Sequence, residues 1–302
     1  MTNRKIRSRL SKVLSNPFSI VKRVGKKGFL NWIPDALYLK IIYRAETGKR
    51  LDLKHPKTYN EKLQWIKLHD RKPEYPSYVD KYEVRRHIAD RIGEDYLIPL
   101  IGLYESVEDI PWEELPNSFV LKCTHGSGSN IICPDKRDLD IENAKKKLRK
   151  WMNHSWYWFG REWPYKHIKP RIICEEYISD KDITPDDYKV LCFNGKAKLI
   201  EVHIDRYGDH RQDYYDTEWG KTEIEQVGLP NSDMLIKKPE NLEKMLVLSE
   251  NLSKSIAHVR IDWYVINERL YFGEITFFDG SGFTPFQREK DDLLLGSWIN
   301  LP

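Results

Sequence analysis

The dipeptide Asn194-Gly195 lies between two strand-like runs, Tyr188 to Phe193 and Lys196 to Arg206, and is the strongest hairpin signal in the chain. Both residues tolerate the positive φ that a tight two-residue turn requires, so the flanking runs are expected to pair antiparallel. A second pair follows near the C-terminus. Val259 to Ile266 and Arg269 to Phe278 are joined by the short turn Asn267-Glu268, and they carry the acids Asp262 and Glu274 within strongly apolar flanks. A carboxylate buried without a partner is costly, so this hairpin is a candidate to present two carboxylates to one cation. A plain solvated face is the alternative for such acids.

Upstream, Ser118 to Cys123 reads as a strand and enters the loop Thr124-His125-Gly126-Ser127-Gly128-Ser129-Asn130, with Asn130 to Cys133 continuing as a strand. Loop and flanks therefore make a hairpin, not the strand-to-helix turn of a Walker site, and the Gly-Lys-Ser/Thr of that site is missing. Glycines in such a loop let backbone N–H groups approach a phosphate closely, although the same sequence makes an ordinary flexible turn. Hard Mg²⁺ is held by one or two carboxylates together with nucleotide phosphates, so the loop and the acidic hairpin complement each other chemically.

The remaining elements are simpler to place. Thr58 and Glu61 have capping-box spacing, so a helix starts near Thr58. Asp80 to Ile92 reads as a helix closed by Gly93, and Tyr96 to Tyr104 as a strand. Ile141 to Met152 is a basic helix, followed by the aromatic stretch Trp156 to Trp163, for which packing is the default role. Arg171 to Ile178 is a strand that ends at the polar break Ser179 to Asp187, a candidate hinge, and Glu240 to His258 is helical.

A chain of 302 residues with 40% apolar residues can bury a sizeable core in two or three subdomains. Its four cysteines, Cys123, Cys133, Cys174 and Cys192, lie in apolar strand-like runs without zinc-ligand spacing, which points to free thiols and a cytoplasmic, reducing setting. Net charge is only +4, yet Arg4, Lys5, Arg7, Arg9, Lys12, Lys22, Arg23, Lys26 and Lys27 precede the first acid, Asp35. With interleaved apolar residues, such an arm suits the inner face of a membrane; a solvated tail is the alternative. Phe29 to Tyr43 contains charges and is too short for the roughly 20 residues that span a bilayer.

The order of these parts resembles the ATP-grasp superfamily. Within it the chain is similar to the TupA-like branch, named for teichuronopeptide synthesis, through Thr58-Tyr59-Asn60-Glu61-Lys62-Leu63-Gln64-Trp65, Leu121-Lys122-Cys123-Thr124-His125-Gly126-Ser127-Gly128 and Gly273-Glu274-Ile275-Thr276-Phe277. The resemblance covers about residue 40 to the end. It implies an α+β fold with nucleotide held between two α+β subdomains and a helical N-terminal extension. The corresponding divisions are an arm and extension over 1–50, an N-terminal subdomain over 51–116, a central subdomain with the glycine-rich loop over 117–179, and a C-terminal subdomain with the metal site over 180–302.

The same resemblance implies roles. Lys81 and Lys122 would meet phosphates, and His125, Gly126, Ser127, Gly128 and Ser129 would fold over them. Glu175, Glu176, Tyr177 and Ile178 would border the adenine, and Asp187 the ribose. Asp262 and Glu274 would hold Mg²⁺; the family commonly has Asn two residues after the Glu, where this chain has Thr276. Lys189, Arg206 and Arg260 would stabilise the transferred phosphoryl group, with Gly280-Ser281-Gly282-Phe283 near the substrate carboxylate. The implied activity is ATP-dependent joining of a carboxylate to an amine through an acyl phosphate, on a small molecule or glycan of a cell-surface polymer.

Two rivals belong to other classes. A nucleotide-sugar glycosyltransferase would use Asp138-Leu139-Asp140 or Asp180-Lys181-Asp182, but both lie in polar, turn-like stretches, and no α/β nucleotide-binding unit opens the chain. A noncatalytic adaptor acting through the basic arm would account for residues 1 to 27 only, and nucleic acid is not an expected partner.

Overall fold

The computed structural model describes residues 28–179, 186–204 and 209–302. The basic arm 1–27, Arg206 and the Asp180-Lys181-Asp182 pair lie outside the described residues.

Helix α1 spans Asp35–Thr47 and α2 spans Tyr59–His69. The capping box at the start of α2 is made in full: Glu61 N donates to Thr58 Oγ1 at 3.2 Å and Thr58 N to Glu61 Oε2 at 3.1 Å. Short α3 (Tyr75–Val79) and α4 (Val84–Ile92) follow. The helix expected from Asp80 starts later, because the Asp80 side chain turns back to accept from Tyr82 N and Glu83 N and forms a turn first.

A four-stranded antiparallel sheet contains β1 (Leu100–Tyr104), β2 (Phe119–Cys123), β3 (Asn130–Cys133) and β4 (Ile172–Glu176) in the order β1-β4-β2-β3. Residues 94–96 form a single 3₁₀ turn, so β1 is shorter than the strand expected from Tyr96. Period-two burial divides this sheet into two faces. Phe119, Leu121, Cys123 and Cys174 pack against Ala144 and Leu148 of α5 (Ile141–Met152), while Lys122 and Glu175 point the other way. Asp140 caps α5 by accepting from Asn143 N at 2.9 Å, a helix-end role for one acid of the Asp138–Asp140 pair. A single turn, α6 (Tyr157–Gly160), comes before β4 in the chain.

The larger sheet has the order β7-β6-β5-β8-β9, from β5 (Asp186–Phe193), β6 (Lys196–Ile204), β7 (Arg211–Tyr215), β8 (His258–Ile266) and β9 (Arg269–Thr276). Asn194 and Gly195 take positive φ (50° and 78°), as do Asn267 and Glu268 (47° and 63°), the geometry that a two-residue hairpin requires. Helix α7 (Leu242–Leu252) packs on one face through Leu242, Met245 and Leu252. It stops short of His258, which instead opens β8. Helix α8 (Glu289–Ser297) lies against α2, and the same core takes in Tyr59, Leu63, Phe277 and Leu295. All four cysteines are free and buried.

Candidate active site

Two register irregularities determine which charges share a face. In β5–β6 the pairing passes from Cys192↔Ala197 to Leu191↔Leu199, so Lys198 is extruded and Lys189 comes opposite Glu201. A straight hairpin would have set Lys189 opposite Ile200. In β8–β9 the pairing passes from Trp263↔Phe272 to Asp262↔Glu274, extruding Gly273. Without that bulge Glu274 would lie on the opposite face from Asp262. A Cβ on residue 273 would stand 3.0 Å from Asp262 O, which explains glycine there.

The result is a continuous polar row across the sheet, Glu201–Lys189–Asp262–Glu274, with Arg260 and Thr276 on the same face one pleat away. Lys189 Nζ lies 2.5 Å from Asp187 Oδ2 and 3.1 Å from Asp262 Oδ2. Arg260 forks onto Asp262 with two 2.8 Å hydrogen bonds, also reaches Asp279, and lies 3.7 Å from Glu274 Oε1. Thr276 Oγ1 donates to Glu274 Oε1 at 3.1 Å.

Burial alone would raise the pKa of Glu201, yet Arg260 and His203 bring it down from 4.5 to about 2. Glu274 is likewise held well below the usual range: burial opposes ionisation, and Lys81 and Arg260 overcome it. Burial pulls the Lys189 pKa down, and Asp262 restores it to above the ordinary lysine value. Glu201, Glu274 and Lys189 are therefore charged near neutral pH, whereas burial raises the Asp262 carboxyl despite Arg260 and Lys189.

Across from this row stands the outward face of the smaller sheet. Lys122 Nζ lies 2.7 Å from Glu175 Oε2, and Arg85 of α4 bonds to Glu175 Oε1 at 2.9 Å. Lys81 links the two sides: its Nζ donates to Glu274 Oε2 at 2.9 Å, and its backbone N–H to Thr124 O at the base of the loop. Lys81, Arg85, Lys122, Glu175, Phe272 and Gly273 line a cavity of about 20 Å³ between the sheets. That is room for about one water.

In the 124–129 loop, Thr124, His125, Gly126 and Ser129 are buried, while Ser127 and Gly128 form an exposed tip. A Cβ at Gly126 would fall inside the indole of Trp156, so this position must be glycine for the tryptophan to close over the loop. His125 is occupied structurally, its Nε2 within 3.2 Å of Trp151 O and His154 O. Thr124 Oγ1, Ser129 Oγ and Trp156 Nε1 are buried and make no hydrogen bond with the described residues, leaving polar atoms for an incoming anion.

At the end of β4, Glu176 is exposed and its N–H bonds to Pro99 O, and half-buried Tyr177 and Ile178 follow. The turn after β9 carries three residues in left-handed conformation, Gly280, Ser281 and Gly282. It is fastened by Lys67, whose Nζ donates to Ser281 O at 2.7 Å, and by Gln64, which donates to Gly282 O at 2.7 Å. Burial pushes the Lys67 ammonium down to about 7.

Glu201, His203, Asp279, Arg85 and Lys67 were not singled out by the sequence. For Glu201 a signal existed, a lone acid inside Leu199-Ile200-Glu201-Val202, but its partner was hidden by the bulge. Among the described residues no group of three or more His, Cys, Asp or Glu side chains could hold a metal alone. The oxygen donors Asp262, Glu274 and Thr276 do suit a hard cation that also takes phosphate oxygens, although both oxygens of Asp262 are engaged by Arg260 and Lys189.

Similar folds include D-alanine–D-alanine ligase from Bacillus anthracis complexed with ATP (16% identity, 67% of this chain and 55% of that one, TM-score 0.41). D-alanine–D-alanine ligase from Helicobacter pylori matches at 14% identity (80% and 69%, TM-score 0.41). The ATP-grasp ligase PsnB, complexed with a phosphomimetic variant of minimal precursor, Mg and ADP, matches at 11% (84% and 65%, TM-score 0.41). The chain spans little more than half the length of the first of these. A search of the curated proteins finds no match. The family described as TupA-like ATPgrasp matches residues 61–300, nearly the whole described chain after α1, and the protein belongs to that TupA-like ATP-grasp family.

Proposed function

We propose that this protein is an ATP-dependent carboxylate–amine ligase. The observation that carries the reading is the meeting of two charged faces across one cleft, Lys122 with Glu175 on one side and Glu274 with Arg260 on the other, joined by Lys81. Attack of a substrate carboxylate oxygen on the γ-phosphorus of ATP forms one P–O bond and breaks the bond to the β,γ-bridging oxygen, giving an acyl phosphate and ADP. An amine then attacks the acyl carbon; phosphate leaves, and the amine nitrogen loses a proton.

In this reading Lys81 and Lys122 exchange their carboxylate partners for phosphate oxygens. Arg260 and Lys189 stay buried beside the reacting phosphoryl group, and Arg206 is assigned there by resemblance. The loop from His125 to Ser129 with Trp156 keeps water from the acyl phosphate. Glu175 to Ile178 border the base, and Asp187 the ribose. Asp262, Glu274 and Thr276 would hold Mg²⁺, which would supply charge neutralisation to the phosphates.

The acid substrate is proposed to be a small molecule or glycan of a cell-surface polymer, met at the inner face of the membrane. The proposed contact is peripheral, through the basic N-terminal arm; among the described residues no helix is long and apolar enough to cross a membrane. The deciding experiment incubates purified protein with Mg-ATP and panels of uronic acids and amino acids and follows ADP release, with Glu274→Gln as control. ADP release that requires one acid and one amine together is expected. Consumption of a nucleotide sugar with ATP ignored would overturn the proposal in favour of a glycosyltransferase.

A further inference from the structure

The N-terminal extension has two unlike sides. Inward, α1 buries Tyr38, Leu39, Ile42 and Tyr43 against Leu51 and Phe283. The turn before α1 leaves Phe29 and Trp32 at 67% and 80% exposure, and the outward side of α1 leaves Leu37 at 53%, all within nine positions of one another. Lys40 and Arg44 are exposed at three and seven residues beyond Leu37, on the same side of the helix. Asp35, the first acid of the chain, is turned away from this side. Its carboxylate accepts from Tyr157 Oη at 2.7 and 2.8 Å and from Arg71 Nη2 at 3.3 Å.

In the sequence this face continues directly from residues 1–27, which carry nine lysines and arginines and no acid. Apolar aromatic side chains beside basic ones, with the nearest acid drawn inward, match the two layers of an anionic bilayer surface. A second copy of the chain fits less well. A symmetric contact through this face would set Lys40, Arg44 and the basic segment against themselves.

We propose that Phe29, Trp32 and Leu37 enter the headgroup–acyl boundary of an anionic lipid bilayer while Lys40 and Arg44 meet lipid phosphates. The proposal deepens the peripheral membrane contact given above and rests on that reading for its location; it is independent of the ligase chemistry. In this orientation α1 is the shallow anchor.

The test is co-sedimentation of the full-length protein with phosphatidylcholine vesicles, with and without about 30% phosphatidylglycerol. Wild type is expected to bind the anionic vesicles at least about tenfold better than the neutral ones, and F29S/W32S/L37S to bind anionic vesicles at least about tenfold more weakly than wild type with ADP release unchanged. Because the native cysteines are all buried, a polarity-sensitive dye on Leu37→Cys reports this face alone and is expected to shift to the blue on anionic vesicles.

Triple-variant binding equal to wild type, or an unshifted dye, would overturn the assignment of this face while leaving arm-mediated membrane contact standing. Failure of wild type to bind any vesicle would overturn both. A wild-type dimer that the triple variant turns monomeric, with no vesicle binding, would make the face a protein interface. Loss of ADP release in wild type would count against the ligase reading alone.

Discussion

Glu274 stands directly opposite Asp262 in the β8–β9 ladder, and the residue displaced to allow it is Gly273. The two carboxylates therefore share a face through a bulge whose extruded position would bring a Cβ to 3.0 Å from Asp262 O. Gly273→Val should cost about 1–3 kcal/mol, read as a lower urea midpoint, and should reduce ADP release more than that loss of stability explains. A variant with unchanged midpoint and turnover would show that the register survives without glycine.

Glu274 receives Lys81 at 2.9 Å. Glu274→Gln keeps the shape and removes the charge, so ADP release should fall at least about a hundredfold in steady-state assays while circular dichroism stays that of wild type. Persistent turnover would remove Glu274 from the proposed cation site.

Gly126 lies beneath the Trp156 indole. Gly126→Ala should displace that ring and raise the KM for ATP several-fold, at a stability cost of about 1–3 kcal/mol. Adding Trp156→Ala should recover part of the stability, because the clash is gone, without recovering the KM. Simple additivity in the double-mutant cycle would show that the two residues do not press on each other.

The pKa of Glu201 falls from 4.5 to about 2 on folding, because Arg260 and His203 outweigh burial. A depressed carboxylate contributes stability that is complete above its unfolded value and is lost as pH falls through the folded one. Unfolding free energy should thus drop between about pH 4.5 and 2, with this residue accounting for up to about 3 kcal/mol. Glu201→Gln should begin less stable at neutral pH and lose less over that window in denaturant titrations. An unchanged slope would mean that Glu201 is not ionised against Arg260.

Local chemistry made several elements legible. Asn194-Gly195 announced its hairpin, and Thr58 with Glu61 announced α2 through a reciprocal cap. The apolar run Ser118 to Cys123 announced a strand, seen as β2. What counting could not give was register. Each of the two extruded residues, Lys198 and Gly273, moves the following positions to the other face, so the pairing of Lys189 with Glu201 was invisible and that of Asp262 with Glu274 could be expected only as two acids on one hairpin. Lys67 was unreadable for a different reason. Its role depends on Ser281, which lies far along the chain, and a lysine on an amphipathic helix ordinarily points to water.

The pairing of Lys81 with Glu274 and of Lys122 with Glu175 has a consequence for how the molecule meets a triphosphate. Each cation that would greet the ligand is already satisfied by an anion of its own, so arrival is a swap of partners in which dissolved salt loosens both the old bonds and the new. Under the proposed function, affinity should therefore respond to ionic strength much more gently than two unpartnered lysines would suggest.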